Sequence, residues 1–184
     1  VQLAGEAGDI CTKQGRYEPA IEWYDKGLLY ISSGSTVYGD ILYAKADAVF
    51  QLGRYEETLE LLTEFEGKLS EHSKANNALL FSGDIHRTLA ERKGGETHLE
   101  AALNAYSIIV SQHLEGADVD LVKVALLEKA RSEKNLGRMN EALDDFRKIQ
   151  TYYPDTSYEV EAVLEIGDYD FLAKRYEEAV GQFD

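Results

Sequence analysis

Few side chains in this 184-residue chain have the type and spacing that chemistry requires. The four histidines, His72, His86, His98 and His113, show no HExxH spacing, and Cys11 is the single cysteine. That excludes an internal disulfide and any Cys-rich zinc site, and speaks against a zinc site on the histidines. Cys11 stands among apolar helical positions and reads as a buried small hydrophobe, and His86 as a core or groove side chain. Gly94-Gly95 is not flanked by the GxxxxGK[ST] pattern of a phosphate loop. The carboxylate pairs Asp144-Asp145 and Glu177-Glu178 fall on helices predicted to face solvent. Carboxylate catalysis needs two acids across a cleft with separated pKa values, which adjacency alone does not supply. The reading is therefore a non-catalytic chain with no catalytic residue, no metal site and no cofactor.

The elements that carry these residues announce themselves by repetition. Lys13-Gln14-Gly15-Arg16-Tyr17-Glu18 leads into an apolar helix, and the phrase returns at Gln51-Leu52-Gly53-Arg54-Tyr55-Glu56 and at Asn135-Leu136-Gly137-Arg138-Met139-Asn140. Ala173-Lys174-Arg175-Tyr176 is a last copy, and Leu99-Glu100-Ala101-Ala102 a looser one. Recurrence at a period of about 20–50 residues marks a stacked repeat array. Two prolines in the whole chain leave room for long uninterrupted helices.

Five helix pairs follow: 1–34, 35–72, 73–117 with an insertion at 90–96, 118–155, and an incomplete 156–184. The spacing predicts helices to about Gln14, over Tyr17–Ile31, over Val37–Leu52, from Lys74, over Val119–Leu136, over Met139–Tyr152, and on to about Lys174. Ala90–Glu96 reads as an insertion, a tolerated loop first and a partner-specific contact second. Thr97-His98-Leu99-Glu100 and Thr156-Ser157-Tyr158-Glu159 fit capping boxes, and Asp118 fits an N-cap. Val1 falls in the register of a helix already begun, and Asp184 falls early in the last one. The expectation is a piece of a longer protein, with a C-terminal pair that is mobile or packs on another chain.

Net charge is −15, from 19 basic and 34 acidic side chains. Nucleic-acid phosphates and anionic lipid need clustered Lys and Arg, so neither is an expected partner. No apolar run reaches the ~18 residues of a membrane span, and no signal-peptide pattern is present. One cysteine fits a reducing compartment, which favours the cytoplasm and leaves the periplasm open.

Two columns of small residues stand out once the phrases are aligned. Gly8, Ala46, Gly83, Ala130 and Gly167 recur in the first helices; Ala20, Thr58, Ala102, Ala142 and Ala179 recur in the second. Four residues after the latter stand Tyr24, Leu62, Tyr106, Phe146 and Phe183. With Pro154 behind the fourth pair, these residues resemble the tetratricopeptide-repeat family, a helix–turn–helix of about 34 residues. Departures are Cys11, Val49, His86, Glu133 and Asp170 where a large aromatic is usual, Lys45 and Lys129 where leucine is, and later units of about 37 or 38 residues.

The resemblance implies an all-α fold: a right-handed α–α superhelix, or solenoid, of about five helix pairs, the last truncated. It also implies that the first helices line a concave groove where ligands lie. One residue after the small column stand Asp9, Asp47, Asp84, Arg131 and Asp168; nearby on the same predicted face are Tyr43, Phe50, Arg87, Leu127, Lys134 and Phe171. This suits a peptide or helix that carries Lys or Arg beside apolar anchors. The alternative is that each aspartate bonds within its own repeat and serves packing. The family's clamp for a terminal carboxylate falls on Gly5, Asp9, Ala44, Asn77 and Phe81, where only Asn77 is suitable. The expected function is a protein-binding scaffold. Self-assembly through an exposed C-terminal repeat is the second reading, and a regulatory or targeting arm of a larger enzyme the third.

Overall fold

The computed structural model describes residues 2–113 and 119–181, and among these it is all-α. The chain divides into two compact units, Val1–Ile85 and His86–Asp184. The first holds α1 (Gln2–Lys13), α2 (Tyr17–Leu28), α3 (Thr36–Gln51), α4 (Tyr55–Lys68) and the start of α5 (Ala75–Lys93). The second holds the rest of α5, then α6 (Glu96–His113), α7 (Val119–Asn135), α8 (Met139–Tyr152), α9 (Ser157–Leu172) and α10 (Tyr176–Gly181). Within each unit, helices next in sequence pack together: α1 on α2, α2 on α3, α3 on α4, and likewise α6 through α10. The expected positions Asp118 and Phe183, and the chain end at Asp184, lie outside the described residues.

Both small columns are buried throughout. A Cβ added at Gly8 would lie 2.3 Å from the Tyr24 ring, so the close approach of α1 and α2 requires glycine there. Tyr24, Leu62, Tyr106 and Phe146 are among the fully buried side chains.

Four of the first helices end in the same way. The amides of Gly15 and Arg16 bond back to the carbonyls of Thr12 and Cys11; Gly53 and Arg54 bond to Phe50 and Val49; Gly137 and Arg138 to Lys134 and Glu133; Lys174 and Arg175 to Phe171 and Asp170. This double bond around a left-handed residue is a Schellman cap, and it accounts for the glycines, at φ of 70°, 73° and 75°. The residue accepting the bond from five positions on is in each case one where an aromatic was missing. In the fifth pair Lys174 takes the left-handed position itself, at φ 61°.

The third pair breaks the rule because Ala90 stands at the glycine position. The expected loop at 90–96 is instead helix as far as Lys93, with Ala90 in the core. Alanine, glutamate, arginine and lysine are strong helix formers, and Arg92 and Lys93 suit the negative end of the helix. The break falls only at Gly94-Gly95, both at positive φ. Because α6 begins at Glu96, Thr97 is inside the helix and forms no capping box. The second expected box is present in half-altered form: the Thr156 hydroxyl accepts from the Glu159 amide at 3.3 Å, while the Glu159 carboxylate accepts from Asp155 N–H at 2.7 Å.

Arginines after the turns link repeats: Arg54 pairs with Glu18, and Arg138 pairs through both guanidinium nitrogens with Glu100. These are equivalent positions in the first and second units. One solvent-facing expectation fails inside the fourth pair. Asp145 is 2% exposed and receives Lys129 and Lys148, because Lys129 replaces an apolar core residue and needs an anion beside it. Glu133 completes the cluster at 2.5 Å from Lys129; its second oxygen is buried with no hydrogen-bond partner, and burial raises its pKa.

Candidate functional site

In the first unit, α3 and α5 bound a cleft of about 220 Å³ lined by Tyr43, Asp47, Asn77, Leu80, Phe81 and Asp84. Tyr43 and Asp47 are one helical turn apart and so share a face. The Tyr43 ring lies 6.2 Å from Phe81 and edge-on to Phe65 at 6.1 Å. Phe50 stands behind, 5.0 Å from Phe81 and 5.5 Å from Tyr55. These ring contacts fix the aromatic wall of the cleft. Burial raises the Tyr43 pKa, and the charges of Asp47 and Asp84 raise it further, so both carboxylates act on the same space. Asp47 also accepts a bond of 3.4 Å from the Gln51 side chain. The Lys74 ammonium sits 5.4 Å over the Tyr43 ring and pairs with Asp40 at 2.8 Å.

Asp9 behaves differently. It is exposed, but it accepts the Tyr24 hydroxyl at 2.8 Å, and the same hydroxyl meets Thr12 at 3.2 Å. Here the aspartate bonds within its own helix pair.

In the second unit the corresponding residues compensate one another. Arg87 pairs with Glu91 at 2.6 Å and Glu128 at 3.1 Å. Arg131 reaches Glu128 at 2.9 Å and Glu161 at 2.5 Å, and Lys134 reaches Glu165 at 2.5 Å. All of these but Glu161 line a cleft of about 320 Å³ whose charges are already matched in pairs. Leu127 departs from its expected role: it is 3% exposed, because its side of α7 is the core side. Asp168 and Phe171 border a separate, mainly apolar cleft of about 280 Å³ with Gly167, Tyr176, Ala179 and Val180. Phe171 is 61% exposed and stacks edge-on to Tyr176 at 5.6 Å.

The eleven expected site residues thus fall into groups. Tyr43, Asp47 and Asp84 converge with Phe50 behind them; Arg87, Arg131 and Lys134 form an ion network; Asp168 and Phe171 form a third group; Asp9 and Leu127 serve packing. Sequence reasoning passed over Leu80 and treated Asn77 and Phe81 only as clamp positions, although their one-turn spacing on α5 placed them on the same face as Asp84. It also missed the meeting of His86 and His98, whose Nδ1 atoms are 3.1 Å apart. A separation of 12 residues across an interrupted helix carries no periodic signal. Burial, and then the neighbouring His98, lower the His86 pKa.

The comparisons agree with this architecture. A family model described as tetratricopeptide repeat matches residues 1–34. No curated protein matches. Among solved structures, a crystal structure of MamA is 18% identical, covering 96% of this chain and 90% of that one, with a TM-score of 0.73. A MamA RS-1 double mutant is 14% identical, covering 99% and 89%, with a TM-score of 0.75. At such identities the likeness concerns the fold, and it extends over both units. With a tetratricopeptide repeat matched at residues 1–34, buried small columns in every later pair and the same cap closing four first helices, the chain has the fold of an all-α helical-repeat protein.

Proposed function

We propose that this protein is a non-catalytic protein-interaction scaffold, and that the α3–α5 cleft of its first unit receives a basic side chain of a partner peptide or helix. The observation that carries this is the convergence of Asp47 and Asp84 on a space walled by Tyr43 and Phe81. Two carboxylates attract a cation, aromatic faces add cation–π attraction, and Leu80 accepts the aliphatic stem. The family's clamp for a terminal carboxylate is absent, since Asp9 would repel the ligand.

Peptides selected from a random display library on the wild-type protein should carry Lys or Arg beside apolar residues. Their affinity should fall about tenfold or more in the Asp47→Asn/Asp84→Asn variant, given ~1.5–3 kcal/mol for a charged hydrogen bond. Their salt dependence should weaken with it. Unchanged affinity and unchanged salt slope would remove the cleft from the binding surface.

A second reading, self-association, is favoured by a different observation. The α9–α10 side exposes Val160, Leu164, Phe171, Leu172, Tyr176 and Val180 around the apolar cleft. Glu177 holds the position that Glu18 and Glu100 use to receive an arginine, and Arg16 the position of Arg54 and Arg138. A second copy of the chain supplies both complements.

A further inference from the structure

We propose that His86 and His98 form a two-nitrogen site for one divalent first-row transition-metal ion, bound through both Nδ1 atoms. This goes beyond the scaffold reading and is independent of it. The two imidazoles belong to α5 and α6, on either side of the Gly94-Gly95 break. Their Nδ1 atoms are 3.1 Å apart, with ring centroids 5.4 Å apart and planes inclined by 35°. Metal–imidazole bonds are about 2.0–2.1 Å long. Two of them meeting at a right angle separate their nitrogens by ~2.9 Å, and meeting at the tetrahedral angle by ~3.3 Å. The observed separation lies between these values; the rings face each other nearly head-on, so each must turn by roughly 35–45° to aim its lone pair at a shared ion.

Both rings are half-buried, which leaves one side open to solvent. Among the described residues, no three or more His, Cys, Asp and Glu side chains gather as a ligand set. The remaining coordination positions are therefore filled by water, and the affinity is set by two imidazoles. Imidazole suits Zn²⁺, Ni²⁺ and Cu²⁺, and within that series Cu²⁺ binds tightest. Without an ion, the two nitrogens share one proton between them. With an ion, both lone pairs point to it and the Nε2 atoms carry the protons. The bond would staple α5 to α6 at the one first helix that lacks the Schellman cap.

The test uses protein stripped with chelator and then titrated with CuCl₂, NiCl₂ and ZnCl₂ alone. The wild type should bind one ion per chain with micromolar affinity, in the order expected for imidazole, and its melting temperature should rise with metal concentration. Electron paramagnetic resonance of the Cu²⁺ form should show two coordinated nitrogens. His98→Gln, at a half-exposed position in the first turn of α6, should keep the helical circular dichroism and lose tight binding at least tenfold; His86→Gln should do the same. His113→Gln should bind as the wild type does. Binding that survives His98→Gln, binding lost in His113→Gln, or no ion held more tightly than millimolar would each overturn the site.

Discussion

Gly8 shows what one atom decides. Its absent Cβ is the space the Tyr24 ring occupies, and that ring is held at its far end by Asp9 and Thr12. Alanine ordinarily gains about 1 kcal/mol over glycine inside a helix. Here the methyl overpacks a ring that has nowhere to go, at ~1–3 kcal/mol. Gly8→Ala should therefore lower the urea midpoint, whereas the usual helix gain would raise it. A second residue-scale prediction concerns pH. The Tyr38 hydroxyl donates to Glu64 at 2.5 Å, and Lys68 donates at 2.9 Å; the Tyr38 bond first, then Lys68, hold the Glu64 carboxyl below its ordinary 4.5. The Tyr38 hydroxyl is pushed up to about 12, chiefly by burial. A depressed carboxyl contributes stability that is complete above its unfolded pKa and lost as pH falls through the folded one. Tyr38→Phe should then be more destabilising at about pH 6 than at about pH 3, as read from denaturant midpoints. Equal losses at both pH values would show that the bond does not set the carboxyl's titration.

At the scale of the element, the Schellman cap is the unit that repeats. Three copies place glycine in the left-handed position and the fourth places Lys174 there, where an L side chain strains against its own carbonyl. Lys174→Gly should raise stability by about 0.5–1 kcal/mol, after the greater unfolded-state freedom of glycine is set against the relieved strain. Hydrogen exchange of the α9 and α10 amides should slow with it. The third pair shows the converse: Ala90 in place of glycine lets α5 run on until Gly94-Gly95. That extension places His86 well inside a helix and His98 at the start of the next, which is the geometry that brings the imidazoles together.

For the whole molecule, charge and exposed apolar surface govern association. A net charge of −15 keeps copies apart at low salt, while the α9–α10 side offers apolar area to be covered. Self-association predicts a sedimentation coefficient that grows with protein concentration, and more so as salt screens the repulsion. Glu177→Arg alone and Arg16→Glu alone should each suppress that growth, and mixing the two should restore it as alternating copies of the two variants. A mass that stays monomeric at all concentrations and salts would leave the peptide-binding reading alone.

Spacing determined the helices, because small residues recur where two backbones touch and a left-handed cap closes four of the five first helices. Those demands are local, so Gly15, Gly53 and Gly137 could be read from the chain, and Met139–Tyr152 to the residue. Tertiary packing decided the rest. Whether an aspartate one step past the small column faces a cleft, as Asp47 does, or clasps a tyrosine, as Asp9 does, depends on which side chain the neighbouring helix presents. Leu127 and Asp145 turned inward for the same reason, the one to fill the core and the other to neutralise the half-buried Lys129. The meeting of His86 and His98 required both an absent glycine and the turn that replaced it, a long-range coincidence that no periodicity encodes.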